Sequence, residues 1–202
     1  MSRDLLLASQ NPGKLAEMRL LVTELPFHVV GPLDLGIRDA PDETGSTFAE
    51  NAALKARYYS TRSGLLTVAD DSGLSVDALG GEPGLLSSRF GGPGANDRDR
   101  NALLLSRLRG VPTERRTARF TCAVALAQGE DVVFEAQESV EGRIAEAEQG
   151  PNGFGYDPLF FYPPFGRTFG QTARADKDRV SHRGKAFARL REFLGRLEQA
   201  AG

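Results

Sequence analysis

The segment Thr67-Val68-Ala69-Asp70-Asp71-Ser72-Gly73 sets two adjacent carboxylates directly behind an apolar run that begins at Leu65. Side chains alternate faces along a strand, so Asp70 and Asp71 are expected to point opposite ways. The Ser-Gly pair behind them reads as a turn. That puts both acids at a strand end, where ligands collect in open α/β sheets. Carboxylate oxygens there suit a hard cation such as Mg²⁺, which keeps positions for substrate phosphates. A solvated turn capped by Asp70 is the other reading of the same residues.

Ser9-Gln10-Asn11-Pro12-Gly13-Lys14 lies between an apolar strand and a helical run. The free N–H groups of a helix start, with the Lys14 charge added, make an anion site. The pattern is not a Walker A loop, which needs glycine where Ala8 stands and Ser or Thr where Leu15 stands. An ordinary turn with a surface lysine is the alternative. Asp42 and Glu43 bring two more carboxylates just ahead of Thr44-Gly45.

Farther on, Gly153-Phe154-Gly155-Tyr156-Asp157 joins backbone freedom to two aromatic rings and a carboxylate. Aromatic faces suit base stacking, and an Asp accepts hydrogen bonds from ring N–H groups. A hydrophobic loop packed on the sheet is the alternative. Lys177, His182 and Arg183 come last. Ser181 is a natural N-cap, so His182 and Arg183 fall in a first helical turn. The dipole there prefers anions, and positive charge set against it hints at a bound anion or a ligand carbonyl. His28 reads as structural.

The elements that must position these groups follow from periodicity. Leu5 to Ala8 reads as a first strand. Lys14 to Leu25, with apolar residues at 15, 18, 21, 22 and 25, reads as a helix. A short strand within 26–32 and an acidic loop over 33–45 follow. Thr47 and Glu50 form a capping-box pattern for a helix to about Ser63, stopped by Gly64. Asn51 and Lys55 share a face of that helix.

A strand over 65–69 comes next, then glycine-rich chain with a short strand near 74–77. Asn96 to Leu108 reads as a helix. Arg116 to Ala127 and Val132 to Ile144 read as two strands of a hairpin around Gly129-Glu130-Asp131. Residues 149–170 read as a loop region, with Leu159 to Pro164 in it as core and edge strand, and Ser181 to Gln199 reads as a last helix. Strands alternating with helices predict an α/β fold, and the hairpin predicts a mixed sheet.

At 202 residues, the chain is expected to be one domain or one two-lobed unit over 1–202. A net charge of -2 leaves no basic footprint, so nucleic acid is not an expected partner. The lone Cys122 sits in an apolar run and reads as a buried small residue. The N-terminal apolar run is too short for a signal peptide, and no stretch has the length of a membrane span. A cytoplasmic protein with no membrane partner is the expectation.

In this order and spacing, the blocks resemble the inosine triphosphate pyrophosphatase family, also called the noncanonical purine NTP or dITP/XTP pyrophosphatases. The resemblance covers essentially the whole chain. It is carried by Ser9–Lys14, Thr44-Gly45, Phe48 with Glu50-Asn51, Lys55-Ala56-Arg57 and Ala69–Gly73. Gly80-Gly81, Pro83-Gly84, Arg89-Phe90, Gly153–Asp157 and Ser181–Gly184 add to it.

The resemblance implies an elongated mixed β-sheet with flanking helices, in two lobes around a central cleft. It implies a Mg²⁺-dependent homodimer that hydrolyses ITP, dITP and XTP to the monophosphate and pyrophosphate. The triphosphate would lie on Ser9, Gln10, Asn11, Pro12, Gly13 and Lys14. Asp71 would be metal ligand and proton acceptor, with Ser72 touching substrate. Phe154, Gly155, Tyr156 and Asp157 would border the base, and Lys177, His182 and Arg183 would contact the nucleotide. A second metal-binding acid, Glu in some members, aligns with Asp42, with Glu43 as the alternative.

Donors from His182 and Arg183 would favour a 6-oxo base, because adenine would leave them unpaired. Two other readings are open on the residues: hydrolysis of a pyrimidine or modified nucleotide, and a nucleotide-binding regulator without turnover.

Overall fold

A computed structural model describes residues 3–201, with side chains to Leu197. The order of elements is β1 (Arg3–Leu7), α1 (Pro12–Leu21), β2 (Phe27–Val30), α2 (Phe48–Ser63), β3 (Leu66–Val76) and α3 (Asp97–Arg107). β4 (Thr117–Gln128), β5 (Asp131–Ile144), β6 (Phe160–Tyr162), β7 (Arg167–Thr168), α4 (Arg174–Val180) and α5 (His182–Ala201) follow. The strands form one seven-stranded sheet in the order β2-β1-β3-β4-β5-β6-β7. β1 pairs in parallel with both β2 and β3, while β6 pairs antiparallel with β5 and β7, so the fold is mixed α/β.

The chain divides into two compact units. The first comprises Met1–Asp71, Cys122–Glu138 and Arg183–Gly202, and the second Ser72–Thr121 and Ser139–His182.

In the first unit the sheet is apolar on both faces. Leu5, Leu7, Val68, Cys122, Val124 and Leu126 pack with Met18 of α1 and Phe187, Leu190 and Leu194 of α5. Leu6, Ala69, Ala123, Ala125 and Ala127 pack with Ala52, Ala56 and Tyr59 of α2. The period-two alternation of a strand makes this division, and coverage on both faces explains the unbroken apolar run of β4. Alanines on both sides of the α2 contact let the helix sit close to the sheet. In the second unit, Leu74 and Val76 of β3 pack with Leu104 and Leu108 near α3, and with Phe120, Phe160 and Phe169.

The ends of α2 follow its sequence. The Thr47 hydroxyl accepts from the Glu50 N–H at 3.1 Å. The Glu50 carboxylate reaches one residue past the N-cap, accepting from the Ser46 N–H at 2.6 Å and the Ser46 hydroxyl at 2.8 Å. Gly64 ends the helix in a left-handed conformation.

Two expectations are corrected. β3 does not stop at Ala69: it runs unbroken to Val76, so Asp70 and Asp71 are mid-strand and Ser72-Gly73 is not a turn. Gly73 does not adopt a positive φ, and the sheet context of β3 overrides the turn preference of a Ser-Gly pair. The last helical stretch is also preceded by α4, which ends at Ser181 immediately before α5.

Candidate active site

In the first unit, α1 begins as its sequence dictates. Pro12 opens the helix, and the Asn11 side chain accepts from the Lys14 N–H at 3.0 Å. Ahead of it the Ser9 hydroxyl accepts from the Asn11 N–H at 3.3 Å. The Gln10 amide donates to the carbonyls of Arg38 and Asp39 at 2.9 and 3.3 Å, which ties this turn to the acidic loop. Lys14 itself reaches Asp70 Oδ2 at 3.4 Å.

Asp71 lies on the α2 side of β3 and is 6% exposed. Asn51 Nδ2 donates to its Oδ2 at 3.2 Å, and Lys55 Nζ donates to its Oδ1 at 3.1 Å. The same ammonium donates to Glu43 Oε1 at 2.8 Å. Two carboxylates thus converge on one cation. Asn51 also accepts from the Gly45 N–H at 2.8 Å, so it fastens the acidic loop to Asp71. A Cβ at position 45 would lie 2.7 Å from Asn51 Oδ1, which explains the glycine. Asp42 is exposed, so the pairing with Lys55 falls to Glu43.

Burial raises the Asp71 carboxyl above its ordinary range, with Glu43 adding to the rise and Lys55 and Lys14 opposing it. Burial works against the Lys55 charge, but Asp71, Asp70 and Glu43 together raise its affinity for the proton.

Asp70 lies on the α1 and α5 side. Arg183 donates to its Oδ2 through Nε at 3.2 Å and Nη2 at 3.0 Å. Arg183 Nη1 donates to Glu17, a buried residue of α1. Burial pulls the Asp70 carboxyl up, yet Lys14, Arg183 and Lys55 outweigh it and hold the group well below the usual carboxylate range. Charge carries this more than a full set of hydrogen bonds, since Asp70 Oδ1 is buried with no hydrogen-bond partner among the described residues. Nearby Cys122 is buried and its thiol is pushed up to about 12, chiefly by desolvation, so it is the inert packing residue its sequence suggests.

Arg183 thus joins two carboxylates inside the first unit. It is 2% exposed, and its guanidinium pairs with Asp70 and Glu17. The positive charge in the first turn of α5 finds its anions inside the protein. Glu17 was missed from the sequence, where it reads as one more acid on a surface helix. Its position three residues after Lys14 was the available signal.

In the second unit, Lys177 of α4 is buried and pairs with Asp157 Oδ2 at 2.5 Å. That oxygen also accepts from the Phe154 N–H at 3.0 Å. Lys177 Nζ lies 5.3 Å from the centre of the Phe154 ring. The Tyr156 hydroxyl donates to the Ser87 carbonyl at 2.8 Å. His182 is buried with its ring stacked on Phe120, centroids 4.8 Å apart and planes at 11°. Ser72, half-buried in β3, opens this unit. His28 is exposed, with Nδ1 2.9 Å from Asp4.

Among the described residues no group of three or more His, Cys, Asp and Glu converges as a metal cage. Asp71 and Glu43 are nonetheless a fitting donor pair for Mg²⁺. They are hard oxygens already gathered around a positive charge, and this ion is commonly held by one or two carboxylates with substrate phosphates completing its shell. No helix among the described residues is long and apolar enough to cross a membrane.

The Ham1 family model matches residues 5–193. A dITP/XTP pyrophosphatase of Thermus thermophilus is 47% identical over 92% of this chain and 89% of its own length. One from Xanthomonas campestris is 46% identical over 96% of this chain and 98% of its own. Among solved structures, a HAM1 protein from Coxiella burnetii superposes with a TM-score of 0.86 at 38% identity, over 96% of this chain and 99% of its own. A match of this extent, across both units, places the chain in the Ham1 family.

Proposed function

We propose that this chain hydrolyses noncanonical purine nucleoside triphosphates (ITP, dITP and XTP) to the monophosphate and pyrophosphate, clearing them from the nucleotide pool. The observation that carries the reading is the convergence of Asp71 and Glu43 on Lys55, in a chain 46–47% identical to dITP/XTP pyrophosphatases. Residues 1–202 act as one catalytic domain.

The division of labour follows the chemistry. Lys14 and the start of α1 take the triphosphate charge, with Ser9 to Gly13 shaping the loop and Ser72 touching substrate. Lys14 exchanges its partner Asp70 for phosphate. Asp71 accepts a proton from the attacking water, and its raised affinity for protons suits that task. Mg²⁺ held by Asp71 and Glu43 would offset charge on the leaving pyrophosphate. Asn51 and Lys55 keep the Asp71 carboxylate oriented.

Phe154, Gly155, Tyr156 and Asp157, with Lys177 and His182, face the purine. A 6-oxo base accepts from their donors, while adenine leaves them unpaired. Arg183 acts as a positioning residue that holds Asp70 and Glu17. The family resemblance supports a cytoplasmic homodimer, a state that sedimentation measurements check.

The test is incubation with dITP, XTP, dGTP and ATP, with and without Mg²⁺, reading pyrophosphate against orthophosphate. Pyrophosphate from dITP and XTP, lost in EDTA and restored by Mg²⁺, is expected. Orthophosphate as first product, or full activity in EDTA, overturns the reading.

A further inference from the structure

We propose that Asp97 and Asn101 of α3 set the base selectivity of this enzyme by gripping Gly155 through both of its backbone polar groups. The inference rests on the reading that Phe154–Asp157 face the purine. Asp97 and Asn101 are four apart and share a helix face. Asp97 Oδ2 accepts from the Gly155 N–H at 2.7 Å, and Asn101 Nδ2 donates to the Gly155 carbonyl at 3.1 Å.

Both side chains are themselves held. Arg100 Nη2 donates to Asp97 Oδ1 at 2.7 Å, and Arg100 Nη1 is anchored on the carbonyls of Ala95 and Ser88. Asn101 is buried, and its Nδ2 also donates to Glu148 Oε1 at 2.6 Å. Both partners of Nδ2 are acceptors, which fixes the orientation of the amide.

The grip completes a set of tethers along the loop. The Phe154 N–H is held by Asp157, and the Tyr156 hydroxyl by Ser87. Gly153 has a φ of +76°, and a Cβ there would lie 2.1 Å from Asp157 Oδ2, so the loop is wound tightly around that carboxylate. Gly155 is the point where the loop is fastened to α3. With it fixed, the half-buried Phe154 ring and the Asp157–Lys177 pair keep one arrangement before substrate arrives. A fixed arrangement lowers the ordering cost of binding. It also prevents the loop from shifting to satisfy an adenine, which is what discrimination by unpaired donors requires.

The experiment compares kcat and KM for dITP and dATP in Asp97→Ala, Asn101→Ala and Asp97→Asn, with Phe154→Ala as control and thermal melting to verify folding. The Asp97 side chain is 48% exposed, so Asp97→Ala keeps the test intact if the buried Asn101 variant fails to fold. Each alanine variant is expected to lower the dITP-to-dATP ratio of kcat/KM by about three- to tenfold, mainly through KM for dITP.

Asp97→Asn keeps one oxygen for the Gly155 N–H but turns its NH2 toward the Arg100 guanidinium, so it should recover part of the parental ratio and lie above Asp97→Ala. An unchanged ratio in Asp97→Ala, with a lowered one in Phe154→Ala, overturns the clamp. So does a loss confined to kcat and equal for both nucleotides. An unchanged ratio in Phe154→Ala overturns the base-facing reading itself.

Discussion

Asp70 and Asp71 are consecutive in β3 and serve opposite faces of it: Asp70 meets Lys14 and Arg183, and Asp71 meets Asn51 and Lys55. One acid is locked in a buried ion network, and the other is desolvated and held by two side chains of a single helix. Their substitutions should therefore fail in different ways.

Asp71→Asn should nearly abolish turnover while the protein still folds, because Lys55 keeps Glu43 as a partner. Asp70→Asn should instead cost stability on the order of 3–5 kcal/mol, the usual loss when one member of a buried pair is removed. Initial rates with dITP and chemical denaturation of the two variants check this. Turnover within threefold of the parent in Asp71→Asn would remove Asp71 from the chemistry.

The pH dependence of stability should differ in sign between the two. Asp70 has a lowered folded pKa, so its contribution is complete above the unfolded carboxylate value, about 4, and is lost as pH falls through the folded value. Asp71 has a raised folded pKa, so its ionisation opposes folding at neutral pH, and that penalty is relieved as pH falls through the folded value. Below about pH 4 the parent should lose Tm more steeply than Asp70→Asn. At pH 7, Asp71→Asn should melt no lower than the parent. Equal acid slopes for parent and Asp70→Asn would refute the assignment.

The acidic loop offers a direct comparison. Glu43 shares Lys55 with Asp71, while Asp42 is exposed. Glu43→Gln should lower kcat/KM at limiting Mg²⁺ by about tenfold or more, the scale of losing one charged partner. Asp42→Asn should stay within about twofold, as for a surface change. Titration of activity with Mg²⁺ distinguishes them, and the reverse order would assign the metal to Asp42.

Arg183→Ala should destabilise the protein by about 3–5 kcal/mol, since it strands Glu17 and Asp70. Arg183→Lys should rescue little, because an ammonium cannot reproduce a planar fork between two carboxylates. The dITP-to-dATP ratio should hold in a folded Arg183→Lys and fall in His182→Ala. A ratio that collapses in Arg183→Lys and holds in His182→Ala would return base reading to the arginine.

Much of the scaffold was written locally. The Thr47 cap, the Gly64 stop and the hairpin strands all depend on residues a few positions apart, and the structure has each of them. The alternation of β3 likewise separates Asp70 from Asp71 whatever surrounds the strand. What the sequence could not reveal depends on partners far along the chain. β3 continues through Asp71-Ser72-Gly73 as part of the sheet, against the preference of a Ser-Gly pair.

The sequence around Arg183 does not show that Glu17 and Asp70, distant along the chain, lie beside it. Glu43 rather than Asp42 meets Lys55 because the loop path, fastened by Asn51 to Gly45, turns one carboxylate inward and leaves its neighbour in solvent. By itself the sequence determined which groups carry charge and which strand face each occupies. Only the tertiary structure decided which opposite charges became buried neighbours, because desolvation and Coulomb attraction act on distance in space, not along the chain.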